Sequence, residues 1–421
     1  MFTKTKVVVL AALLMGSGMA LAQEQPTTIE ELWRIIQAQQ AEIDALKAEV
    51  SAARQDTATN SERVAVTEAR VEETEARVEA TGEYVESIAE VQSEPSRTTI
   101  GGYGELHYNN ISSDAGDSDE IDFHRFVLYF GHEFNERVRL FSELELEHSL
   151  AGDGKPGEVE LEQAYIDFVL NENMSAKAGL YLLPVGILNE IHEPTTFYGV
   201  ERNDVESIII PSTWWEAGAA LNGRFGNGFS WDAALHSGLA MPTTGSNAFR
   251  VRSGRQKVAE ALASDWAGTV RLKYTGVPGL ELAASYQYQS DPSQVPNDGL
   301  DSGQLFSAHA IYQKGHFGLR GLYGVWNFDG EAVEAAGADK QKGWYIEPSW
   351  RFNEKWGVYY RYEDLEGARD QDQFTQNEFG LNYWPVPGVV FKVDYRDRDH
   401  SLPGLAERDF TAFDLGLGFT F

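Results

Sequence analysis

The chain has 421 residues, no cysteine, and 34 basic against 65 acidic side chains, a formal charge of −31 at pH 7. Missing thiols exclude a disulfide framework and most zinc sites, and the acidic balance argues against nucleic-acid partners, which need basic surface. At 12% the aromatic share is too high for a disordered acidic protein, and no apolar run reaches the roughly 18 residues a spanning helix needs.

Lys4 and Lys6 precede an apolar run from Val7 to Leu14, and Ala20-Leu21-Ala22 follows before Gln23. This is the layout of a secretory signal peptide over residues 1–22, with the mature chain expected to begin at Gln23.

Residues 23–96 carry a heptad. With position a at Ile29, the same register gives Ile36, Ile43, Val50, Thr57, Val64, Val71, Val78 and Val85 without a phase break. Position d is mixed, with Leu32, Leu46, Ala53 and Ile88 apolar and Gln39, Asn60, Thr67, Thr74 and Thr81 polar or β-branched. Glu42 with Lys47, Glu49 with Arg54, Arg63 with Glu68 and Arg70 with Glu75 are g-to-next-e pairs of opposite sign, which form between parallel chains in register. The expectation is a parallel α-helical coiled coil, a rod of roughly 100 Å. Branching at both a and d favours three strands over two.

From Arg97 the period becomes two. Sixteen strand-like runs are predicted, at about 99–109, 121–134, 137–149, 160–170, 174–183, 213–225, 229–238, 265–275, 280–290, 303–313, 316–328, 343–352, 356–366, 374–384, 389–398 and 409–421. Short turns such as Asn135-Glu136 and Lys314-Gly315 alternate with long connections such as Asn110 to Glu120 and Pro184 to Ser212. Up-and-down strands of a membrane β-barrel give that alternation, with the short turns on the periplasmic rim. The last run makes the same point, since Phe413, Leu415, Leu417, Phe419 and Phe421 alternate with Asp414, Gly416, Gly418 and Thr420. Lipid can cover such an apolar face, whereas a soluble sandwich needs a second sheet. The fold expected for residues 97–421 is thus an all-β barrel of about 16 antiparallel strands.

Strand parity assigns faces. Val358, Tyr360 and Tyr362 point to lipid while Arg361 and Glu363 do not, and the same logic turns Arg139, Glu143, Glu145, Glu147, Lys177, Glu216, Arg224, Asp232, Arg271, Lys273, Arg320, Glu347, Arg351 and Glu378 inward. Charges of both signs would line the lumen, where water solvates them. Strand ten is ambiguous, with Leu305, Ser307 and His309 against Phe306, Ala308 and Ala310.

The connection from Pro184 to Ser212 carries Ile187, Leu188, Ile191, Phe197, Tyr198, Val200 and Ile208-Ile209-Ile210. An exposed loop is not expected to be so apolar. It is expected to fold into the barrel and narrow it with Asn189, Glu190, His192, Glu193, Glu201, Arg202 and Asp204, facing wall residues such as Arg139, Arg224 and Arg271 across water.

The stretch Leu182-Leu183-Pro184, Asn189-Glu190-Ile191-His192-Glu193-Pro194, Phe197-Tyr198-Gly199 and Ile210-Pro211-Ser212-Thr213-Trp214 resembles a segment of bacterial porins of the phosphate-selective porin O and P family. The resemblance spans about residues 97–421 and implies an outer-membrane trimer with a loop-constricted pore. Phosphate-selective members use a dense series of arginines and lysines in the pore. Here the barrel segment departs from that, with 26 basic against 48 acidic residues from Arg97 on.

Glu190, His192 and Glu193 could hold a divalent metal, but with no second histidine or cysteine nearby His192 reads better as a hydrogen-bonded tie from loop to wall, so no metal or cofactor is expected. Arg250, Arg252, Arg255 and Lys257 either attract anions or lipopolysaccharide phosphates or form a solvated loop. No Gly-x-Ser-x-Gly nucleophile turn is present, and no enzymatic activity is expected. The function read from the sequence is passive diffusion of small hydrophilic solutes and ions through an outer-membrane channel. The alternative is an anchor tethering that membrane to the cell wall, through peptidoglycan, by the coiled coil.

Overall fold

The structure, a computed structural model, describes residues 28–30, 32–51, 54–55, 64, 97–402 and 404–421. The chain divides into two units, Met1–Pro95 and Ser96–Phe421. In the first, residues 29–30 and 32–51 are helical. The signal-peptide segment and the coiled coil beyond residue 55, residue 64 apart, lie outside the described residues. No described helix is long and apolar enough to cross a membrane.

The second unit is a closed barrel of sixteen strands in sequence order, every neighbour antiparallel and β1 sealing against β16. The strands are β1 Thr98–Ser113, β2 Ser118–Asn135, β3 Val138–Glu147, β4 Val159–Asn171, β5 Met174–Leu182, β6 Trp215–Phe225, β7 Phe229–His236, β8 Ala267–Tyr274, β9 Leu280–Gln289, β10 Ser302–Lys314, β11 Phe317–Asp329, β12 Lys340–Arg351, β13 Trp356–Glu366, β14 Gln373–Tyr383, β15 Val389–His400 and β16 Phe410–Thr420. Closure leaves no unpaired edge, the condition a sheet must meet in hydrocarbon. The backbone of Phe421 exchanges both hydrogen bonds with Gly102, completing the seam.

Period-two alternation sorts the side chains as expected. On β16, Phe413 and Leu415 are exposed outside while Ala412 and Asp414 are buried inside. On β13, Tyr359, Arg361, Glu363 and Leu365 are buried inward. Strand β10 is no longer ambiguous, because Leu305, Ser307 and His309 are buried and Phe306 is exposed. Exposed Phe134, Phe225, Trp350, Phe352, Trp356, Phe391 and Phe421 sit at strand ends on the short-turn rim, as an aromatic girdle does at a membrane interface.

The first connection differs from expectation. In place of a loop from Asn110 to Glu120, β1 and β2 continue pairing to Ile111 and Ser118, β1 runs on to Ser113 against β16, and only residues 114–117 are left between the two strands. Cross-strand bonds from Tyr108 Oη and Asn110 Nδ2 to Asp119, and from Ser112 Oγ to Asp117, replace apolar packing there. A polar hairpin standing in water keeps its ladder in this way.

Candidate functional site

Residues 183–214, between β5 and β6, lie against the inner wall. Ile187, Leu188, Phe197, Val205, Ile209 and Ile210 are buried in one cluster with inward-facing Leu305, Leu322, Trp326 and Tyr345. Each large apolar side chain so buried contributes roughly 1.5–3 kcal/mol. This core lies inside the barrel, on the face that parity assigns to the lumen.

An irregular backbone within a barrel must find partners for its polar groups. Wall side chains provide them. Ser285 Oγ donates to Pro184 O at 2.8 Å, Arg320 Nη2 to Thr196 O at 2.7 Å, Asn382 Nδ2 to Tyr198 O at 3.0 Å, Lys392 Nζ to Gly199 O at 2.7 Å and Trp326 Nε1 to Ile209 O at 2.9 Å. In the other direction, the Val200 and Asp204 amides donate to Asp394 and Glu363 at 2.6 and 2.7 Å. Gly199 permits this closeness, since a Cβ there would stand 2.5 Å from Glu201 O and 2.7 Å from Glu378 Oε1.

The loop is also pinned to itself. The buried Glu206 carboxylate accepts from the Ile187 and Leu188 amides, from Asn203 and from the Tyr345 hydroxyl. A second loop, residues 237–266, reinforces it. Arg252 Nη1 donates to Ser207 O and Ser212 O at 3.2 and 2.7 Å, and Arg255 Nη1 to Pro211 O and Thr213 O at 3.2 and 2.5 Å. Lys257 pairs with Glu158 and Glu160. Three of the four basic residues read as anion-attracting or solvated are thus committed within the protein.

The sequence-predicted loop residues divide into two groups. Asn189 faces no aqueous gap: it is fully buried and ties the two ends of the loop together, giving Nδ2 to Leu183 O and Trp214 O and accepting from the Trp214 amide at 2.6 Å. His192 is also buried, its Nε2 at 3.3 and 3.4 Å from wall carboxylates Glu143 and Glu162. Glu190, Glu193, Glu201, Arg202 and Asp204 are half-buried. Glu190 pairs with Arg271, Tyr129 donates to Glu193, Glu201 meets His107 and Asn109, Arg202 donates to His192 O, and Asp204 pairs with Arg398.

The wall needs larger corrections. Arg271 touches Glu190 and Asp232 directly, not across water. Arg139 pairs with Asp167 on the neighbouring strand, Arg224 lies exposed beside the Gly226-Asn227-Gly228 turn, and Arg351 lies 3.9 Å over the Trp384 ring. All three stand at strand ends on the short-turn rim, while the loop enters from the other rim. Parity gives a residue's face but not its depth. Glu143, Glu145, Glu216, Glu347, Arg361 and Glu378 face inward yet are not bathed in water; the loops cover them. Arg361 lies among Glu347, Glu363 and Glu378, and Arg125 holds Glu105 and Glu145. Half-buried Lys273 and Arg320 complete the predicted wall set.

Sequence reasoning missed Glu162 for a structural reason. At a register shift, Glu143 opposes Gln163 and Leu144 opposes Leu161, so Glu162 is an extra residue that strict alternation misplaces.

Glu201 and His192 of the loop have displaced protonation equilibria. Burial would raise the Glu201 carboxyl, but His107 beside it more than reverses this and holds it well below the usual carboxylate range. Burial would lower His192, but bonds to Glu143 and Glu162 outweigh that and push it up to about 9. A histidine raised from 6.5 adds stability that is complete below about pH 6.5 and is lost as pH rises through about 9. Hydrogen exchange, corrected for intrinsic rates, should therefore show residues 190–204 losing protection between pH 6.5 and 9 while strand amides hold. Equal protection at both ends of that range would remove the His192 tie from the account.

Residues 100–421 match the family model described as phosphate-selective porin O and P. An uncharacterized protein of Aquifex aeolicus (strain VF5) is 30% identical over 334 residues, covering 72% of this chain and 76% of that one. Among solved structures, the anion-selective porin from Comamonas acidovorans superposes with a TM-score of 0.54 at 13% identity, over 78% of this chain and 100% of that chain. The trimer form of in-vitro folded OmpT of Vibrio cholerae does so with 0.50 at 11% identity, over 77% and 100%.

Proposed function

Because the chain belongs to the phosphate-selective porin O and P family, we propose that it is an outer-membrane porin for passive diffusion of small hydrophilic solutes and ions, constricted by the inward-folded loop 183–214. The observation that carries this reading is the docking of that loop on the inner wall of a closed sixteen-stranded barrel. Glu190, Glu193, Glu201, Arg202 and Asp204, with Lys273 and Arg320 of the wall beside the loop, form the polar rim that solutes meet. Wall groups of both signs already neutralise one another, so ion selectivity is weak. Phosphate is not the favoured solute, since many inward arginines are spent on carboxylates. The activity is not enzymatic. Liposomes carrying the purified protein should swell in small sugars and progressively less in larger ones. Liposomes that stay impermeable to all sizes would favour the anchor.

The first 22 residues serve as a signal peptide, and residues 23–96 form a periplasmic coiled coil in a homotrimer embedded in outer-membrane lipid and lipopolysaccharide. Ile29, Ile36, Ile43 and Val50 support this, since each is about half exposed or more on the described helix. Such an apolar seam is covered by copies of itself. An isolated 28–92 peptide should sediment as a trimer; a monomer at high concentration contradicts the assignment. If the coil also reaches peptidoglycan, tethering is a second role.

A further inference from the structure

Three of the chain's nine histidines converge near the long-loop rim. The register of β1 and β2 shifts so that Glu105 opposes Arg125 and His107 opposes Asp122, leaving Phe123 and His124 both opposite Leu106. A bulge of this kind re-aims a side chain. Here it stacks the His124 ring on inward-facing His107, with centroids 4.8 Å apart. His148 follows the last residue of β3, gives its amide to His124 O at 2.9 Å and sets its ring edge-on to His124.

Between them lies Asp122. Its Oδ2 is 3.2 Å from His124 Nδ1, and both its oxygens are 2.8 Å from His148 Nδ1. One ligand atom from each residue lies within 4.8 Å of the others. Both histidine side chains are 26% exposed and Asp122 18%, so a solute can reach them. We propose that Asp122, His124 and His148 form a binding site for a first-row divalent transition-metal cation such as Zn²⁺, independently of whether the barrel conducts.

The chemistry selects the ion class. Metal–ligand bonds of roughly 2.0–2.2 Å place neighbouring donors about 3 to 3.5 Å apart, close to the present N···O separations. Two imidazoles and one carboxylate suit Zn²⁺, Co²⁺, Ni²⁺ and Cu²⁺, whereas Mg²⁺ and Ca²⁺ require more oxygen donors. On binding, each imidazole presents an unprotonated Nδ1 and carries its proton on Nε2. His107 is not a ligand, because Glu105 and Glu201 occupy its two ring nitrogens at 3.2 and 3.0 Å. Its stacked ring forms the floor of the site and links it to Glu201 of the loop.

The test is calorimetric titration of the untagged, chelator-stripped full chain with Zn²⁺ and, separately, Mg²⁺. No histidine precedes His107, so the N-terminal segment supplies no imidazole. One Zn²⁺ per chain should bind, Mg²⁺ should not compete, and His148→Gln and Asp122→Asn should each weaken Zn²⁺ at least roughly tenfold. His316→Gln, outside the cluster, should leave affinity unchanged. Nitrogen hyperfine structure from two imidazoles in the Cu²⁺ paramagnetic resonance spectrum of the wild type tests the site without a variant. Absence of Zn²⁺ binding, Zn²⁺ affinity retained in both ligand variants, or a Cu²⁺ spectrum without two nitrogens overturns the proposal.

Discussion

Replacing Glu190 to Asp204 by a short Gly-Ser link is expected to raise single-channel conductance at least roughly twofold while the barrel still folds. The ladder that closes the barrel runs β1 to β16 without help from the loop. Ile187, Leu188 and Ile208 to Ile210, which anchor the loop ends to Leu322, Trp326 and Tyr345, lie outside the deletion. Wall groups uncovered by it, among them Glu363, Lys392 and Asp394, pass from protein partners to water, which solvates them at little cost. Folding is checked by heat-modifiable electrophoretic mobility. A folded deletion variant with unchanged conductance would place the constriction elsewhere.

The largest effect on stability should come from Arg361→Met. Arg361 is 2% exposed, with Nε 3.0 Å from Glu363, Nη1 3.3 Å from Glu347 and Nη2 on Glu378. Removing the cation leaves three carboxylates crowded where water is scarce, a change that costs about 3–5 kcal/mol for a broken buried pair. Arg139→Met is the matched control, because the Arg139 side chain of its pair with Asp167 is half exposed, and such a pair is worth about 1 kcal/mol or less. Urea unfolding in detergent should separate the two variants clearly. Equal midpoints would mean that the Arg361 cluster is solvated and that the loop does not seal it.

The fold was legible because a barrel writes itself in two simple signals, period-two alternation and turn residues at regular spacing. Both are local, and both survive in Phe413 to Phe421 and in Asn135-Glu136. The apolar content of Pro184 to Ser212 pointed inward by the same logic. What alternation cannot carry is depth along a strand, which is why parity groups Arg139, Arg224 and Arg351 with Arg271 although, of these four, only Arg271 meets the loop. Nor can it carry bulges, which turned Glu162 and His124 into the lumen. The roles of Asn189 and Glu206 depend on how the loop closes on itself, a long-range property with no periodic trace. Charge counting misled in one respect: a mixed-sign lumen suggested solvated ions, whereas loop docking covers them and leaves ion pairs.

Recording from a planar bilayer after addition of the purified full chain tests the central claim most directly. Discrete conductance steps with weak ion selectivity, each resolving into three equal substates, are the predicted result. A membrane that stays sealed while the inserted protein retains its heat-modifiable fold would contradict it.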